Sequence, residues 1–555
     1  MEGTEDVKRP WREFYDENVP VTLQYPEINL YQLFRKAVEE NPRGTATLFF
    51  GARIAYARLG EMVERFSDGL AALGVRKGDR VGLLLPNLPG YPVAHFGVAR
   101  LGGILVPTNP LYVERELEHQ LNDAGAETVV TVEPLYGTLA KARPRTGVKR
   151  VIVMSIKDFL PFPLSFLYGL KNRSQVTTDE RAGVHRYSEF MKRKYPRSPE
   201  VEVVPDETAM LLYTGGTTGL SKGAELTHRN VVVNVLQTRS WLRNLEEKKE
   251  VILSVLPFFH SYGMTTGLHL AVASQSTMLL LPRFDLPDVA KRIKKHRPTI
   301  FCAVPSMYNA IIRAPQLTPQ DVSSIKLCVS GGAALPADVQ SRFEERTGGR
   351  LVEGYGLTET SPVALVNPIF GYRKNGTIGV PIADTDARVV DLDTRQALPA
   401  GEVGELSIAG PQVMKRYWNK PDETANVLKD GWLFTGDMAL MDEEGFFRIV
   451  DRKKDVIISA GMNVYPREVE EVLHQHPKVV EAAVIGVPSK VRDEAVRAYI
   501  VVEKGQELTK AEILEYCRDR LSKFKIPKQI HFVEALPKSA MGKVLKRVLK
   551  DELEG

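Results

Sequence analysis

The feature that most constrains this chain is a recurring alternation of short aliphatic and β-branched runs with amphipathic stretches closed by glycine. Arg80-Val-Gly-Leu-Leu-Leu85 reads as a strand, and Pro86-Asn-Leu-Pro-Gly90 as a turn into a helix. That helix ends near Gly102-Gly103, and the strand Ile104-Leu-Val106 follows. The same order recurs later. Ile325-Lys-Leu-Cys-Val329 leads to Ser330-Gly-Gly-Ala-Ala-Leu335 and a helix with Pro336 in its first turn, closed by Thr347-Gly-Gly349. Strands that alternate with helices in this way build parallel sheets covered by helices, an α/β architecture that sets loops at the C-terminal edges of its strands. The strand Arg350-Leu-Val352 would deliver Glu353-Gly-Tyr-Gly356 to such an edge.

A chain of 555 residues exceeds one ordinary core, so at least two domains are expected. After Pro399-Ala-Gly-Glu-Val-Gly404 the pattern changes to short strands and glycine turns. Beyond Asp451-Arg-Lys-Lys-Asp455 an α+β pattern of about a hundred residues follows. A boundary near residue 453 gives domains 1–452 and 453–555. No internal repeat is visible.

Composition narrows the function class. The net charge of +5 is small for this length and does not describe a nucleic-acid binder. The three cysteines, Cys302, Cys328 and Cys517, have no CxxC spacing, which argues against a zinc site or disulfide framework and fits a reducing, cytoplasmic setting. The acidic start Met1-Glu-Gly-Thr-Glu-Asp6 is unlike a secretory signal. The uncharged run from Met264 to Pro282 is broken by polar residues, as expected of buried core rather than a membrane span.

The most informative segment is Tyr213-Thr-Gly-Gly-Thr-Thr-Gly-Leu-Ser-Lys-Gly223. Its glycines let the backbone aim N–H groups at an anion, its threonines add hydroxyl donors, and Lys222 adds a positive charge. It lacks the Gly-Lys-Ser/Thr of a Walker loop. Gly354-Tyr-Gly-Leu-Thr-Glu359 begins like a dinucleotide fingerprint, but Glu359 stands where the last glycine belongs, so the Rossmann reading fails. A carboxylate there suits a Mg²⁺ ligand beside phosphates, or else a salt-bridged glutamate. Asp437, in Gly431-Trp-Leu-Phe-Thr-Gly-Asp437, can accept from two ribose hydroxyls or serve as a turn acid. Arg452 can grip ribose or phosphate, or remain on the surface. Leu536-Pro-Lys-Ser-Ala-Met-Gly-Lys543 presents a lysine on a glycine-containing loop, ahead of basic residues that read as a solvated helix.

In this order, the segments 213–223, 330–335, 353–359, 431–437, 451–455 and 538–543 resemble the motifs of the acyl-adenylate-forming (AMP-binding) superfamily. Their spelling is most similar to that of its bacterial-type long-chain fatty acyl-CoA synthetases. The resemblance runs from about residue 27 to 550. It implies a large N-terminal domain of two parallel-sheet α/β subdomains plus a small β-barrel, with a mobile α+β C-terminal lid. It also implies ATP, Mg²⁺ and coenzyme A as the bound groups.

By that resemblance, Thr214, Gly215, Gly216, Thr217, Thr218, Gly219 and Lys222 hold the triphosphate, with Thr214 and Glu359 near Mg²⁺. Gly331, Gly332 and Ala333 with Glu353, Gly354, Tyr355, Gly356 and Thr358 line the adenine slot, Tyr355 stacking on the base. Asp437 and Arg452 hold the ribose. Lys543 bridges the acyl carboxylate and the α-phosphate, Lys454 is the hinge, and the loop carrying Ser459 and Gly461 shapes the pantetheine tunnel. Phe258-Phe-His-Ser-Tyr-Gly263 resembles the segment beside the reacting carboxylate, with His260 catalytic. Amino-acid-activating relatives carry an aspartate at the corresponding place; this chain has none, so a substrate without an amino group is implied.

The reaction implied is activation of a long-chain fatty acid through acyl-AMP, followed by thioester formation with coenzyme A. A medium-chain or aryl acid, or the loading of a carrier protein, is the alternative. Val231-Val-Val-Asn-Val-Leu236 lines an acyl tunnel or is plain core. The segment 158–173, rich in Phe, Leu and Pro and ending in Lys171 and Arg173, is too short to span a bilayer. It docks on the inner face of a membrane, packs on its own domain, or faces the sister subunit of a homodimer.

Overall fold

Strands buried on both faces need apolar side chains on both sides, and this chain supplies them where it was expected to. In the computed structural model, Val81, Leu83, Leu105, Val106, Val129, Val130, Val151 and Ile152 are all buried. The structure describes residues 9–171, 179–214, 221–242, 244–459, 462–488, 494–539 and 544–551. The chain divides into two compact units, Trp11–Asp386 with Ala409–Leu433, and Ala387–Ile408 with Phe434–Gly555.

The first unit contains two α/β sheets. In one, six parallel strands lie in the order Thr208–Thr214, Ile104–Pro107, Arg80–Leu84, Thr128–Val132, Arg150–Met154 and Val184–Arg186. Lys222–Thr227 and then Arg416–Tyr417 extend it antiparallel beyond Thr208–Thr214. The other sheet places Val251–Ser254 parallel to Thr277–Leu280, and Leu327–Ser330 parallel to Arg350–Gly356. Ile300 bridges both halves.

Local chemistry explains the element ends. Thr227 caps the helix His228–Trp241, its hydroxyl accepting the Asn230 N–H while the Asn230 side chain accepts the Thr227 N–H. Gly348, at φ 71°, closes the helix Ala337–Thr347 in the left-handed conformation that side chains resist. Pro336 stands one residue ahead of that helix rather than inside its first turn. The run from Met264 is core: a wide π-type turn over Met264–His269, a short helix and the strand Thr277–Leu280. No helix among the described residues is long and apolar enough to cross a membrane.

The helix His228–Trp241 is enclosed over most of Val231–Leu236. Val231, Val232, Val233 and Val235 are buried, and Asn234 between them is fully enclosed. The Asn234 amide donates to Val363 O at 2.7 Å and accepts the Val363 N–H at 3.0 Å. The side that carries Asn234 is thereby stitched to the strand Val363–Val366 by an amide that bonds both backbone groups of Val363.

The second unit carries the short-strand texture seen after residue 399. A sheet runs Asp386–Val390, Gly404–Ala409, Trp432–Met441, Phe447–Arg452. Beyond it, Val479–Pro488, Glu494–Val502 and Gln529–Phe532 form a three-stranded sheet covered by the helices Pro466–His474 and Lys510–Arg518. Val469, Leu473, Val484, Ile500, Ile513 and Cys517 fill its core. Cys302 and Cys328 are buried in the first unit, and each of the three thiols is unbridged.

Candidate active site

Thr214 and Lys222 face each other as the last and first residues of two antiparallel strands, with the Thr214 hydroxyl 3.4 Å from Lys222 O. The turn that joins them, with Gly215, Gly216, Thr217, Thr218 and Gly219, lies outside the described residues. Lys222 pairs with Glu423, and its ammonium stands 5.6 Å from the centre of the Tyr417 ring. The Tyr417 hydroxyl donates to the Glu359 carboxylate at 2.6 Å. Burial, then the adjacent Glu359 charge, holds the Tyr417 phenol well above its ordinary pKa, so it remains a donor at any working pH. The Glu359 carbonyl also accepts the Met414 N–H at 2.7 Å. The structure therefore gathers Thr214, Lys222 and Glu359 through Tyr417, which no sequence motif had marked.

The segment with His260 joins this cluster. The Ser261 and Thr358 hydroxyls are 3.4 Å apart, and the Thr265 hydroxyl donates to Ser361 O at 3.1 Å. His260 is half-buried and caps the turn Ser261–Gly263, its Nδ1 accepting the Tyr262 N–H at 3.3 Å. Asn87 fixes the approach to it. The Asn87 amide donates to Ser254 O and Leu256 O, and its oxygen accepts the Phe258 N–H at 2.8 Å. Tyr91 adds a hydrogen bond to Phe258 O. Asn87 lies in the turn after the first predicted strand, where only its position on a sheet edge hinted at a role.

Gly331, Gly332 and Ala333 leave the strand Leu327–Ser330 beside Glu353, since Ser330 and Glu353 are register partners. Glu353 is buried, Gly354 and Tyr355 are half-buried, and Gly356 is exposed. Close packing keeps side chains off two of these glycines. A Cβ on Gly331 would come within 3.1 Å of the Tyr262 ring, and one on Gly356 within 1.8 Å of Pro362 O. The Ser330 hydroxyl is buried without a hydrogen-bond partner. For Mg²⁺, a threonine hydroxyl and a carboxylate are the hard oxygen donors the ion takes beside phosphates. Among the described residues no group of three His, Cys, Asp or Glu side chains that could hold a metal ion occurs.

In the second unit Asp437 and Arg452 are register partners, with Arg452 Nε 3.4 Å from the Asp437 carboxylate. Asp437 is buried, and its N–H donates to the Thr435 hydroxyl at 3.1 Å. Lys453 pairs with Glu405 at 3.1 Å, and burial lowers the pKa of Lys454. Ser459 is buried in the hairpin Ile457–Ser459/Met462–Val464, whereas Gly461 and Lys543 lie outside the described residues. The basic residues after Lys543 are not all solvated: Lys546 is half-buried and pairs with Glu470 at 2.8 Å.

The model of the AMP-binding enzyme family matches residues 34–418, and that of its C-terminal domain matches residues 468–543. This chain belongs to the AMP-binding enzymes. It is 42% identical over 549 residues to a long-chain-fatty-acid–CoA ligase of Bacillus subtilis, covering 98% of each chain. It is 39% identical over 574 residues to an Escherichia coli O6:H1 protein of the same name, covering 99% of each. Among solved structures it resembles ATP-bound MatB from Rhodopseudomonas palustris, with a TM-score of 0.84 and 31% identity over 95% of this chain and 99% of that one. The α/β architecture with a C-terminal domain, and the use of ATP, follow for this AMP-binding enzyme.

Proposed function

We propose that this AMP-binding enzyme is an acid–thiol ligase that activates a long-chain fatty acid with ATP and transfers the acyl group to coenzyme A. The observation that carries the reading is the Lys222–Tyr417–Glu359 cluster beside Thr214, an arrangement suited to a polyphosphate and its cation. The full-length relatives named long-chain-fatty-acid–CoA ligase support the substrate class. So does Phe259-His260, which offers no carboxylate to an amino acid's ammonium.

In the first half-reaction the fatty carboxylate attacks the α-phosphorus, and pyrophosphate leaves. Both partners are anionic, so the work of the protein is positioning and charge neutralisation. Lys222 faces the triphosphate, and Lys543 supplies charge at the α-phosphate. Thr214 and Glu359 would hold Mg²⁺, which adds positive charge where the leaving pyrophosphate develops negative charge. Gly331 to Ala333 and Glu353 to Thr358 seat the adenine, and Asp437 with Arg452 the ribose. His260 borders the carboxylate. In the second half-reaction the coenzyme A thiol attacks the acyl carbonyl and AMP departs. The segment beyond 453 reorients about Lys454 so that the loop with Ser459 and Gly461 meets the pantetheine arm.

Pyrophosphate release measured over a panel of acids tests this. Long-chain acids should give the highest kcat/KM, and thioester should form only with coenzyme A. Preference for an aryl acid, or turnover that requires a carrier protein instead, would replace the reading. The same reading makes the enzyme cytoplasmic and peripheral to the inner face of a membrane, where such acids partition. A homodimer is its expected assembly, checked by sedimentation.

A further inference from the structure

The segment singled out at 158–173 has two neighbouring features that the ligase reaction does not use. After the turn Ile156–Phe159, the chain exposes Phe162 (84%), Phe166 (60%), Leu167 (54%) and Leu170 (60%), the last three on the helix Leu164–Lys171. At about 100° per residue, Phe166, Leu167 and Leu170 fall on one side of that helix. Apolar side chains this exposed and this close together cost hydration free energy unless something covers them.

Beside them opens a cleft of about 400 Å³, between the helix Tyr56–Ala72, the Asp158 turn and the short helix Tyr187–Phe190. Phe159, buried, packs its ring 5.5 Å from that of Tyr187, which ties the cleft wall to the turn that starts the apolar segment. The charges in the cleft are unevenly satisfied. Glu61 pairs with Arg58 at 2.6 Å, and the Asp158 carboxylate accepts the Ser155 N–H at 3.0 Å. Arg65 has no carboxylate within ion-pair distance among the described residues. Tyr187, 4% exposed, has a buried hydroxyl without a hydrogen-bond partner. Lys157, half-exposed, adds a further cation next to the turn.

We propose that the helix Leu164–Lys171 and the adjoining cleft form a docking surface for an anionic phospholipid bilayer, with the exposed Arg65 at the cleft mouth meeting a lipid phosphate. Exposed apolar side chains flanked by unpaired cations complement a surface that is anionic outside and apolar beneath. Phe162, Phe166, Leu167 and Leu170 enter the acyl layer while the guanidinium of Arg65 stays at the phosphates, where its planar donors fit phosphate oxygens. This rests on the ligase reading, because docking shortens the path only of an acid that partitions into the bilayer.

The test is flotation of the full-length protein with phosphatidylcholine vesicles, with and without phosphatidylglycerol. Turnover of a dissolved medium-chain acid is measured in parallel. Wild type should float with the phosphatidylglycerol vesicles and be released by salt. The triple variant F162S/F166S/L167S and, separately, Arg65→Glu should each lower the floated fraction about ten-fold or more, with turnover of the dissolved acid unchanged. Flotation by neither wild type nor variants, or equal flotation by all, overturns the proposal. So does protection of wild type from flotation by inorganic phosphate alone with the triple variant unaffected in binding, which would make the cleft a site for free phosphate. Conversion of a dimer to a monomer by the triple variant, without flotation of wild type, would assign the face to a second copy of the chain. Loss of turnover on every acid in wild type defeats the ligase reading instead, and is read independently of the vesicles.

Discussion

The Tyr417 hydroxyl lies 2.6 Å from the Glu359 carboxylate and donates to it, while the ammonium of Lys222 stands 5.6 Å from the centre of the same ring. One aromatic side chain thereby orients an acid on the turn Thr358–Thr360 and flanks a cation on the strand Lys222–Thr227, far apart in sequence. The phenol does this in a partly desolvated setting, where a hydrogen bond to a charged group is worth about 1.5–3 kcal/mol.

Tyr417→Phe should therefore leave the fold intact and loosen Glu359. If Glu359 holds Mg²⁺, the variant needs about 10–100-fold more Mg²⁺ for half-maximal pyrophosphate release, the usual cost of losing an outer partner of a metal ligand. An unchanged Mg²⁺ requirement, measured by titration at saturating ATP, removes Glu359 from the metal site.

The two half-reactions should separate at two lysines. Lys543→Ala is expected to slow acyl-adenylate formation by about 10²–10³-fold, the loss on removing one oriented group at developing charge. Thioester formation from supplied acyl-adenylate should continue. Lys454→Pro should do the reverse, because proline fixes φ at the turn Lys453–Asp455 where reorientation requires it to change. Single-turnover assays of each half-reaction decide both. A parallel loss in the two steps would cancel the division of labour.

Acid should destabilise the first unit through its enclosed histidines. His95 and His269 meet at 3.0 Å between their Nε2 atoms, both fully enclosed. Burial lowers the His269 pKa to about 3 and that of His228 to about 4; burial, then the neighbouring His269, lowers that of His95. These folded-state values lie below about 6.5 for an unfolded histidine, so the unfolded chain binds more protons as the pH falls. Their contribution is complete above pH ~6.5 and declines as the pH drops toward 4, by up to about 1.4 kcal/mol per pH unit for each histidine. Urea midpoints should fall over that window, and His269→Gln should flatten the slope. An identical slope in the variant would exclude the pair as its source.

Asn87 predicts a loss of stability and of rate together. Its amide group makes three buried hydrogen bonds to the backbone of 254–258. Asn87→Ala leaves those groups unsatisfied, at about 1–3 kcal/mol for each that finds no water. The urea midpoint should drop, and kcat should fall because the segment leading to His260 loses its anchor. Normal kcat in a destabilised variant would confine Asn87 to a structural role.

The parallel strands and their order of helices were legible because burial on two faces leaves uninterrupted aliphatic runs, as at Arg80–Leu84 and Thr128–Val132. The segment 213–223, Glu359 and Asp437 stand out in the sequence because glycine spacing and isolated acids survive as local patterns. Tyr417 and Asn87 were not. Each acts through a partner 58 or 171 residues away in sequence, and a distance closed only by the tertiary fold leaves no local trace. The helix from Val231 shows the converse. Its aliphatic run is equally suited to a tunnel wall or to packing, and the Asn234 bonds to Val363, closed by the tertiary fold, fix only the side that carries Asn234.

The three buried cysteines give the molecule a native set of chemical clocks. Cys302 and Cys328 are sealed in the first unit and Cys517 in the second. Burial raises the Cys302 pKa to about 12, the Cys517 pKa to about 11, and that of Cys328 well above its usual value, so reactive thiolate is scarce while the cores stay closed. An alkylating reagent then modifies each sulfur only as fast as its own core breathes open. Mass spectrometry of the labelled peptides would report the breathing of the two units separately, without an engineered probe, and would show which of them each substrate quiets.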